Sequence, residues 1–456
     1  MTLPTLGWLV EIFRSRAIVT PDSALRICFD SRKLNAGEVF WAIEGRRDGH
    51  SFVETALQQG AAAAVVRAGF HLKNPELSTK LIHVENTSRA LGEAARSWRE
   101  KLSCNVVGLT GSVGKTTTKD FVIAALSSKF RASATNANFN NEIGVPLTVL
   151  ETPLESLHLV CEMGAAKRGD IKHLCEIAKP DCGLVTAIGE AHLESFGSIE
   201  MVRVTKKELY DYVAETGRAF VPTSDANCVA ASMHCRSKFG YGFESAPVGW
   251  KGEFLQGVNL RFDEFVRPSF EIRGENVSLA IPGQAAAQAA LAAAAISLSF
   301  GVHAKDAARA LSTAVPSPGR AILKRTSSLV IIDDSYNANP SSMKSAIETL
   351  SKFRTGRKVA ILGDMLELGE ATERSHKDMF DLLTRSGISD VSLVGENFAA
   401  VAPKGTLSFK LHLYPDSQSA AQSILEIVKP GDTVLVKGSR GIALEQVVRR
   451  LEEVYQ

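Results

Sequence analysis

The stretch GLTGSVGKTTTKD, Gly108 to Asp120, decides the reading of this 456-residue chain. An apolar run ending in Val106 and Val107 leads into Thr110, Gly111, Ser112, Val113, Gly114, Lys115, Thr116 and Thr117, and a helical pattern follows. Glycines in such a turn let backbone N–H groups face a phosphate, Lys115 neutralises the β and γ oxygens, and the Thr116 hydroxyl reaches a Mg²⁺ ion bound to them. The strict eight-residue form of the pattern has Gly where this chain has Leu109. The strand before the turn and the helix after it argue for a phosphate loop over a chance Gly-rich turn. A loop of this kind says that a nucleotide is held and leaves open what is done with it.

Outward from the loop, short apolar runs end in small or polar clusters: LHLVCEMG, CGLVTAIGEAH, SLVIIDDSYN, KVAILGDM, VSLVGE and DTVLVKGS. Helical stretches such as SSMKSAIETLSKF separate them, and that alternation predicts an α/β fold of parallel sheets covered by helices. Ligands in such folds lie beyond the carboxyl ends of the strands, where the polar clusters fall. At about 100 to 200 residues per domain the length suggests more than one core, and three blocks emerge. The first is 1–84, the second 85–313 with the phosphate loop, and the third 314–456, opened by the Pro/Gly punctuation VPSPGR. Residues 239–277 follow no clear pattern.

Lys plus Arg total 52 against 50 for Asp plus Glu, a net charge of +2, so nothing supports a polyanion-binding surface and no nucleic-acid partner is expected. The seven cysteines form no C-x-x-C pair, which suits a reducing compartment and a cytoplasmic protein. Glu11 and Arg14 interrupt the N-terminal apolar run at amphipathic spacing, unlike an export signal. The Ala-rich AAAQAALAAAAISLSF carries glutamines and ends at Gly301, so it reads as a buried helix; stable membrane insertion is not expected. A monomer is expected.

Several polar groups stand at strand ends. Glu162 in LVCEMGA is either a Mg²⁺ ligand or a cap for the next helix, and His192 in AIGEAHLESFG is either a ligand or a packing residue. The segment TNANFNNEIGVP offers Asn138, Asn140 and Asn141 to a polar ligand, or else is an ordinary loop held by its own side chains. Asp333 and Asp334 could meet a ribose or a cation, and Asn339-Pro340-Ser341 opens a helix. Lys437 and Arg440 flank a Gly-Ser turn, either a seat for a substrate carboxylate or a solvated basic turn.

Taken together, DSRKLNAGEVFWAIEG, DGHSF, TGSVGKTTTKD, NFNNEIGVPLTVL, EMGA, IGEAHLESFGS, DDSYNANPSSMKSAI, LGDMLELG and KGSRG resemble the Mur ligases, ATP-dependent amide-forming enzymes of peptidoglycan synthesis. Leu109 is usual in that family. DSYNANP and NNEIGVP are the most discriminating pieces, and they match the branch that adds D-alanyl-D-alanine to UDP-N-acetylmuramoyl-tripeptide. The resemblance implies three domains: a small UDP-sugar-binding α/β domain, a central phosphate-loop ATPase domain with a mostly parallel sheet, and a C-terminal Rossmann-like domain. It implies that Thr110, Gly111, Ser112, Gly114, Lys115, Thr116 and Thr117 hold ATP, with Thr116, Glu162 and His192 serving Mg²⁺. Lys206, beside Lys207, falls at the family's carbamylated lysine. Arg320 would orient phosphate, and Asp334 and Asn337 would lie at the nucleotide, with Asp334 meeting the ribose. Ser31, Arg32, Gly49 and His50 would contact the UDP-sugar.

One departure stands out. After Pro282-Gly283 the family has a His-Asn pair and a second Asn, used in part for adenine; this chain has Ala285, Ala286 and Ala289, leaving Gln284 or Gln288 to supply contacts. Ala137 also replaces a common Gly in the asparagine loop. The implied chemistry is an acyl phosphate made from the tripeptide carboxylate and ATP, then amide formation with the dipeptide, giving the UDP-pentapeptide, ADP and phosphate. The competing readings are an ATP-binding scaffold without ligase activity and a ligase of folylpolyglutamate synthase type. A second metal site argues against the first, and DSR with DGHSF, which suit a UDP-sugar, argue against the second.

Overall fold

β-branched and aromatic residues pack well on a pleated surface, and helical crossovers between strands force those strands to run parallel. The computed structural model describes residues 2–45, 47–136, 138–190 and 193–455, and its architecture is mixed α/β, as the alternation predicts. Contacts divide the chain into two units: Met1–Gly108, Phe130–Gly164 and Asp170–Asp181 form the first, and Leu109–Lys129, Ala165–Gly169 and Cys182–Gln456 the second.

In the first unit, strands β1 (Ile27–Cys28), β2 (Val39–Trp41), β3 (Ala63–Arg67) and β4 (Leu81–Val84) lie side by side in chain order, all parallel. Phe40, Val53, Leu57, Ala64 and Val66 fill the core on one face. The Trp41 indole N–H donates to the Thr87 carbonyl at 2.8 Å, tying this sheet to the helix Thr87–Arg99, which Asn86 caps through its side chain. Next come β5 (Asn105–Thr110), β6 (Ala132–Ala134) and β7 (His158–Glu162), with β7 in the middle and parallel to β6. The last two residues of β5 already belong to the second unit.

The second unit continues with the parallel strands β8 (Cys182–Val185), β9 (Arg218–Pro222), β10 (Ser237–Gly242) and β11 (Glu253–Gln256). The stretch without a clear pattern holds the end of this sheet and an antiparallel meander of β12 (Val258–Phe262), β13 (Pro268–Ile272) and β14 (Glu275–Ser278). Its tip puts Phe265 and Val266 into a core with Met343, Ile347, Leu350 and Phe353, so distant partners decide that segment. The Ala-rich run is the buried helix Gln284–Ser299, whose small side chains allow close packing on the helix Lys115–Ser127. The final sheet holds β15 (Ile322–Arg325), β16 (Val330–Asp334), β17 (Lys358–Gly363), β18 (Asp390–Val394), β19 (Lys410–Tyr414) and β20 (Thr433–Lys437), in the order β15-β16-β20-β17-β18-β19. Only β15 runs antiparallel to its neighbour.

None of the seven cysteines forms a disulfide, and no helix among the described residues is long and apolar enough to cross a membrane.

A buried histidine gives this sheet a pH dependence. His376 accepts the Met365 N–H on Nε2 at 3.0 Å and donates from Nδ1 to the Thr372 carbonyl at 2.7 Å, so its neutral form is the one the fold satisfies. Burial pushes its pKa below the ordinary 6.5. The unfolded chain therefore binds the proton more readily, and the neutral ring's stabilisation is complete above about pH 6.5 and lost as pH falls below it. The urea midpoint of the parent protein should fall more steeply between about pH 7 and about pH 5 than that of a His376→Gln variant. Equal slopes would remove His376 from the account.

Candidate active site

Within the second unit the phosphate loop is built from steric constraint and cross-bonding. Gly111 has φ +149°, and a β-carbon there would stand 2.0 Å from Thr186 Oγ1, so no side chain fits. Gly114, at φ +79°, is the left-handed residue preceding the helix Lys115–Ser127. Every loop carbonyl is tied back. Thr110 O accepts the Thr186 N–H at 2.9 Å, and Gly111 O accepts Lys115 Nζ at 2.7 Å. Ser112 O accepts Asn339 Nδ2 at 3.3 Å, Val113 O accepts Thr186 Oγ1 at 2.6 Å, and Gly114 O accepts the Thr118 N–H at 2.9 Å. With acceptors engaged, an incoming anion meets the donor end of a helix, which favours negative charge.

Thr116 is buried behind the loop and Thr117 is half-buried. Ser112 is also buried: its N–H donates to Ala187 O at 2.9 Å, and its hydroxyl bonds the carbonyl and N–H of Gly189 at 2.8 and 3.0 Å. Thr186 escaped the reading of the sequence; it belongs to no recognisable pattern, and only folding of the chain after β8 brings it to the loop.

The DSYNANP segment joins this loop inside the same unit. Asn339 accepts the Ser342 N–H at 2.9 Å in a reciprocal capping box with the Ser342 side chain, which starts the helix Pro340–Ser351 and aims the Asn339 amide at Ser112. Ser341 Oγ lies 2.9 Å from where a Gly189 β-carbon would stand, so the approach is close on both sides. Asp333 turns inward, accepting the Ser335 hydroxyl at 2.6 Å, whereas Asp334 keeps part of its carboxylate exposed. Asn337 is exposed, its Oδ1 accepting its neighbour's N–H at 2.9 Å. The Arg320 guanidinium stacks 4.0 Å from the Tyr336 ring centroid, and that of exposed Arg440 lies 5.5 Å from the same ring. Lys437 is not beside Arg440 in the open: its ammonium is buried against Asp334 and the Asn337 carbonyl, at 2.7 and 2.8 Å.

Lys206 sits on the helix Ile199–Val213, 2% exposed, with Nζ 5.7 Å from the Phe196 ring centroid. Lys207 points away to a surface pair with Asp211. His192 and Ala137 lie outside the described residues.

In the first unit, Glu162 at the end of β7 is 1% exposed. Its N–H donates to Thr135 Oγ1 at 3.0 Å, its Oε1 accepts Asn140 Nδ2 at 2.8 Å, and its Oε2 has no partner among the described residues. Asn140 is thus spent on orienting the carboxylate. Asn141 caps the turn through the Gly144 N–H at 2.9 Å, while Asn138 is exposed. Near the N-terminus, Arg32 bonds Asp30 through Nε and Nη2 at 2.8 and 2.7 Å and holds that carboxyl down at about 2, beside half-buried Ser31. His50 donates from Nδ1 to Asp48 at 2.6 Å and accepts the Arg67 N–H on Nε2 at 2.9 Å, so both ring nitrogens brace the turn that begins at Gly49. Those bonds from His50, backbone first, lower the Asp48 pKa.

A phosphate loop between a strand and a helix, set in parallel sheets, makes this a nucleotide-binding α/β protein of the phosphate-loop class. Residues 109–297 match the Mur ligase middle domain, 319–440 the Mur ligase, glutamate ligase domain, and 26–99 the Mur ligase family, catalytic domain. The chain is 36% identical over 436 residues to the UDP-N-acetylmuramoyl-tripeptide--D-alanyl-D-alanine ligase of Bacillus subtilis (strain 168), across 94% of this chain and 93% of that one. It is 32% identical over 461 residues to the protein of the same name from Escherichia coli (strain K12), across 98% of each. Among solved structures, MurF from Acinetobacter baumannii gives a TM-score of 0.87 at 28% identity, covering 99% of this chain and 100% of that one. MurF ligase from Thermotoga maritima in complex with ADP gives 0.81 at 29% identity, covering 94% and 97%. The chain belongs to the Mur ligase family.

A side chain at Gly111 must collide with Thr186 or unwind the loop, and a forced backbone of this kind costs about 1–3 kcal/mol. Gly111→Ala should weaken ATP binding about tenfold or more by calorimetry while leaving the far-ultraviolet dichroism unchanged. Parent-like affinity would show that the loop does not hold the phosphates.

Proposed function

We propose that this chain is an ATP-dependent ligase that adds D-alanyl-D-alanine to UDP-N-acetylmuramoyl-tripeptide. The observation that carries the reading is the seating of the DSYNANP segment on the phosphate loop through Asn339 and Ser341. Hydrolysis of ATP alone has no need of it, whereas an activated carboxyl made at the γ-phosphate must be kept from water. Near full-length relatives bearing that activity supply the substrates. The domain division follows as 1–84 for the UDP-sugar, 85–313 for ATP and 314–456 for the incoming dipeptide, in a monomer that works in the cytoplasm.

The tripeptide carboxylate oxygen attacks the γ-phosphorus, the bond to the bridging oxygen breaks, and ADP leaves. The dipeptide amine then attacks the acyl carbon, loses a proton, and the tetrahedral adduct expels phosphate. A carboxylate and a triphosphate repel, so the protein's task is positioning and charge neutralisation. Lys115 leaves the Gly111 carbonyl for the phosphate oxygens, Arg320 orients the γ-phosphate, Asp334 holds the ribose beside Asn337, and Arg440 receives the dipeptide carboxylate. Ser31, Arg32 and the turn braced by His50 hold the UDP-sugar, with Asn138 and Asn141 framing its peptide arm.

Mg²⁺ fits the donors present. The buried Oε2 of Glu162, without a partner among the described residues, is a hard oxygen donor of the kind Mg²⁺ takes, the Thr116 hydroxyl is assigned to the phosphate-bound ion, and Mg²⁺ is commonly held by one or two protein groups plus substrate phosphates. His192 is assigned to a second ion. When bound, Mg²⁺ supplies charge stabilisation to the transferring phosphoryl group. Lys206 is buried on its helix, and attack of its neutral amine on CO₂ with loss of one proton would give a carbamate, an anion fit to serve that second ion.

The deciding experiment measures phosphate release from ATP with Mg²⁺ and UDP-N-acetylmuramoyl-tripeptide, carrying meso-diaminopimelate or lysine at its third position. Release should require D-alanyl-D-alanine and be matched by the UDP-pentapeptide mass. ATP binding without product from either form would overturn the ligase. Glu162→Gln should lower kcat at least about 100-fold while leaving metal-free ADP binding intact. A ¹³C-bicarbonate carbamate resonance should be present in the parent and absent from Lys206→Ala; its absence from the parent would remove the carbamate.

A further inference from the structure

The buried ammonium of Lys437 sits where the sequence suggested a seat for a substrate carboxylate, and its surroundings argue for another task. Lys437 ends β20 directly opposite Asp334 on the neighbouring strand β16. It is 2% exposed, far too enclosed to receive a peptide terminus. One N–H goes to Asp334 Oδ2 at 2.7 Å and another to the Asn337 carbonyl at 2.8 Å. Asp334 Oδ1 has no bond to any described residue, and its side chain is 18% exposed. The pair is therefore polarised: one carboxylate oxygen faces the lysine, and the other is left for a donor from outside.

We propose that Lys437 is a positioning residue for the nucleotide. It fixes Asp334 so that Oδ1 faces the sugar, and the Asn337 carbonyl anchors the ammonium at that point, while the turn that carries Asn339 to the phosphate loop has bonds of its own. This deepens the reading of Asp334 as the ribose contact and rests on it. Two further bonds clamp the same turn from the strand end beside Lys437. Ser439 Oγ donates to the Ala338 carbonyl at 3.2 Å, and the Arg440 N–H donates to Asn337 Oδ1 at 3.4 Å. The end of β20 thus acts as a template for the whole DSYNANP turn. Burial keeps water from competing for the ammonium, so the two bonds set the geometry strongly. An arginine would keep the charge but displace the donors, because its planar fork cannot stand at the same point.

The test compares ATP with inorganic tripolyphosphate, both with Mg²⁺, by calorimetry on the full chain. Tripolyphosphate occupies the phosphate loop without a sugar. Lys437→Met should weaken ATP about tenfold or more and leave tripolyphosphate within about twofold, since a hydrogen bond to a charged group is at stake on the nucleoside side alone. Asp334→Asn should do the same, and the double variant should be no worse than either single one. In turnover, the KM for ATP should rise while the KM for D-alanyl-D-alanine stays put. Parent-like ATP binding by Lys437→Met, equal loss of both ligands, additive single effects, or a rise confined to the dipeptide KM would each overturn the proposal. Should Lys437→Met fail to fold, Lys437→Arg decides: weaker ATP with unchanged tripolyphosphate supports positioning, and unchanged ATP overturns it. If Asp334→Asn alone leaves ATP affinity intact, the ribose reading has failed, separately from the role of Lys437.

Discussion

The missing β-carbon at Gly111 is the constraint on which the site depends. Because nothing projects there, the loop lies against Thr186, whose backbone and hydroxyl together take two loop carbonyls. Lys115, Asn339 and Thr118 take three more. A loop whose acceptors are all occupied turns its donors to the ligand without reorganising, and preorganised donors act most strongly on developing negative charge. Phosphate affinity is therefore a property of the packing behind the loop as much as of its glycines.

The same economy of polar groups runs through the first unit. Asn140 and Thr135 hold Glu162 so that one carboxylate oxygen is satisfied and the other is not. An orphaned buried oxygen is destabilising by roughly 1–3 kcal/mol, which makes it a marker of a ligand. By contrast, His50 spends both ring nitrogens inside the protein, so its contribution is to shape a turn, while Asn141 caps a turn through Oδ1 and stays exposed. Residues from a binding stretch thus divide into those that touch and those that hold.

In the second unit, the turn after β16 is where three demands meet. Asn339 must cap a helix, reach the phosphate loop and follow Asp334 at a set spacing. The neighbouring strand supplies the rigidity through Lys437, Ser439 and Arg440. That placement comes from sheet order: β20 inserts between β16 and β17, so residues about a hundred positions apart become partners.

Local chemistry was legible in the chain. The loop glycines, Lys115, the helix opened by Asn339-Pro340, the Ala-rich buried helix and the parallel α/β class all rest on backbone sterics, capping and hydrophobic period, which act over a few residues. What depended on neighbours distant in sequence was not legible. Thr186 at the loop, the burial of Lys437 against Asp334, the bracing role of His50 and the plugging of Phe265 into a core after an unpatterned stretch were decided by strand order and long-range packing. The physical reason is that hydrogen-bonding side chains such as Lys and His carry the same local signal whether they meet a ligand or a buried partner, and only the closed fold determines which one they reach.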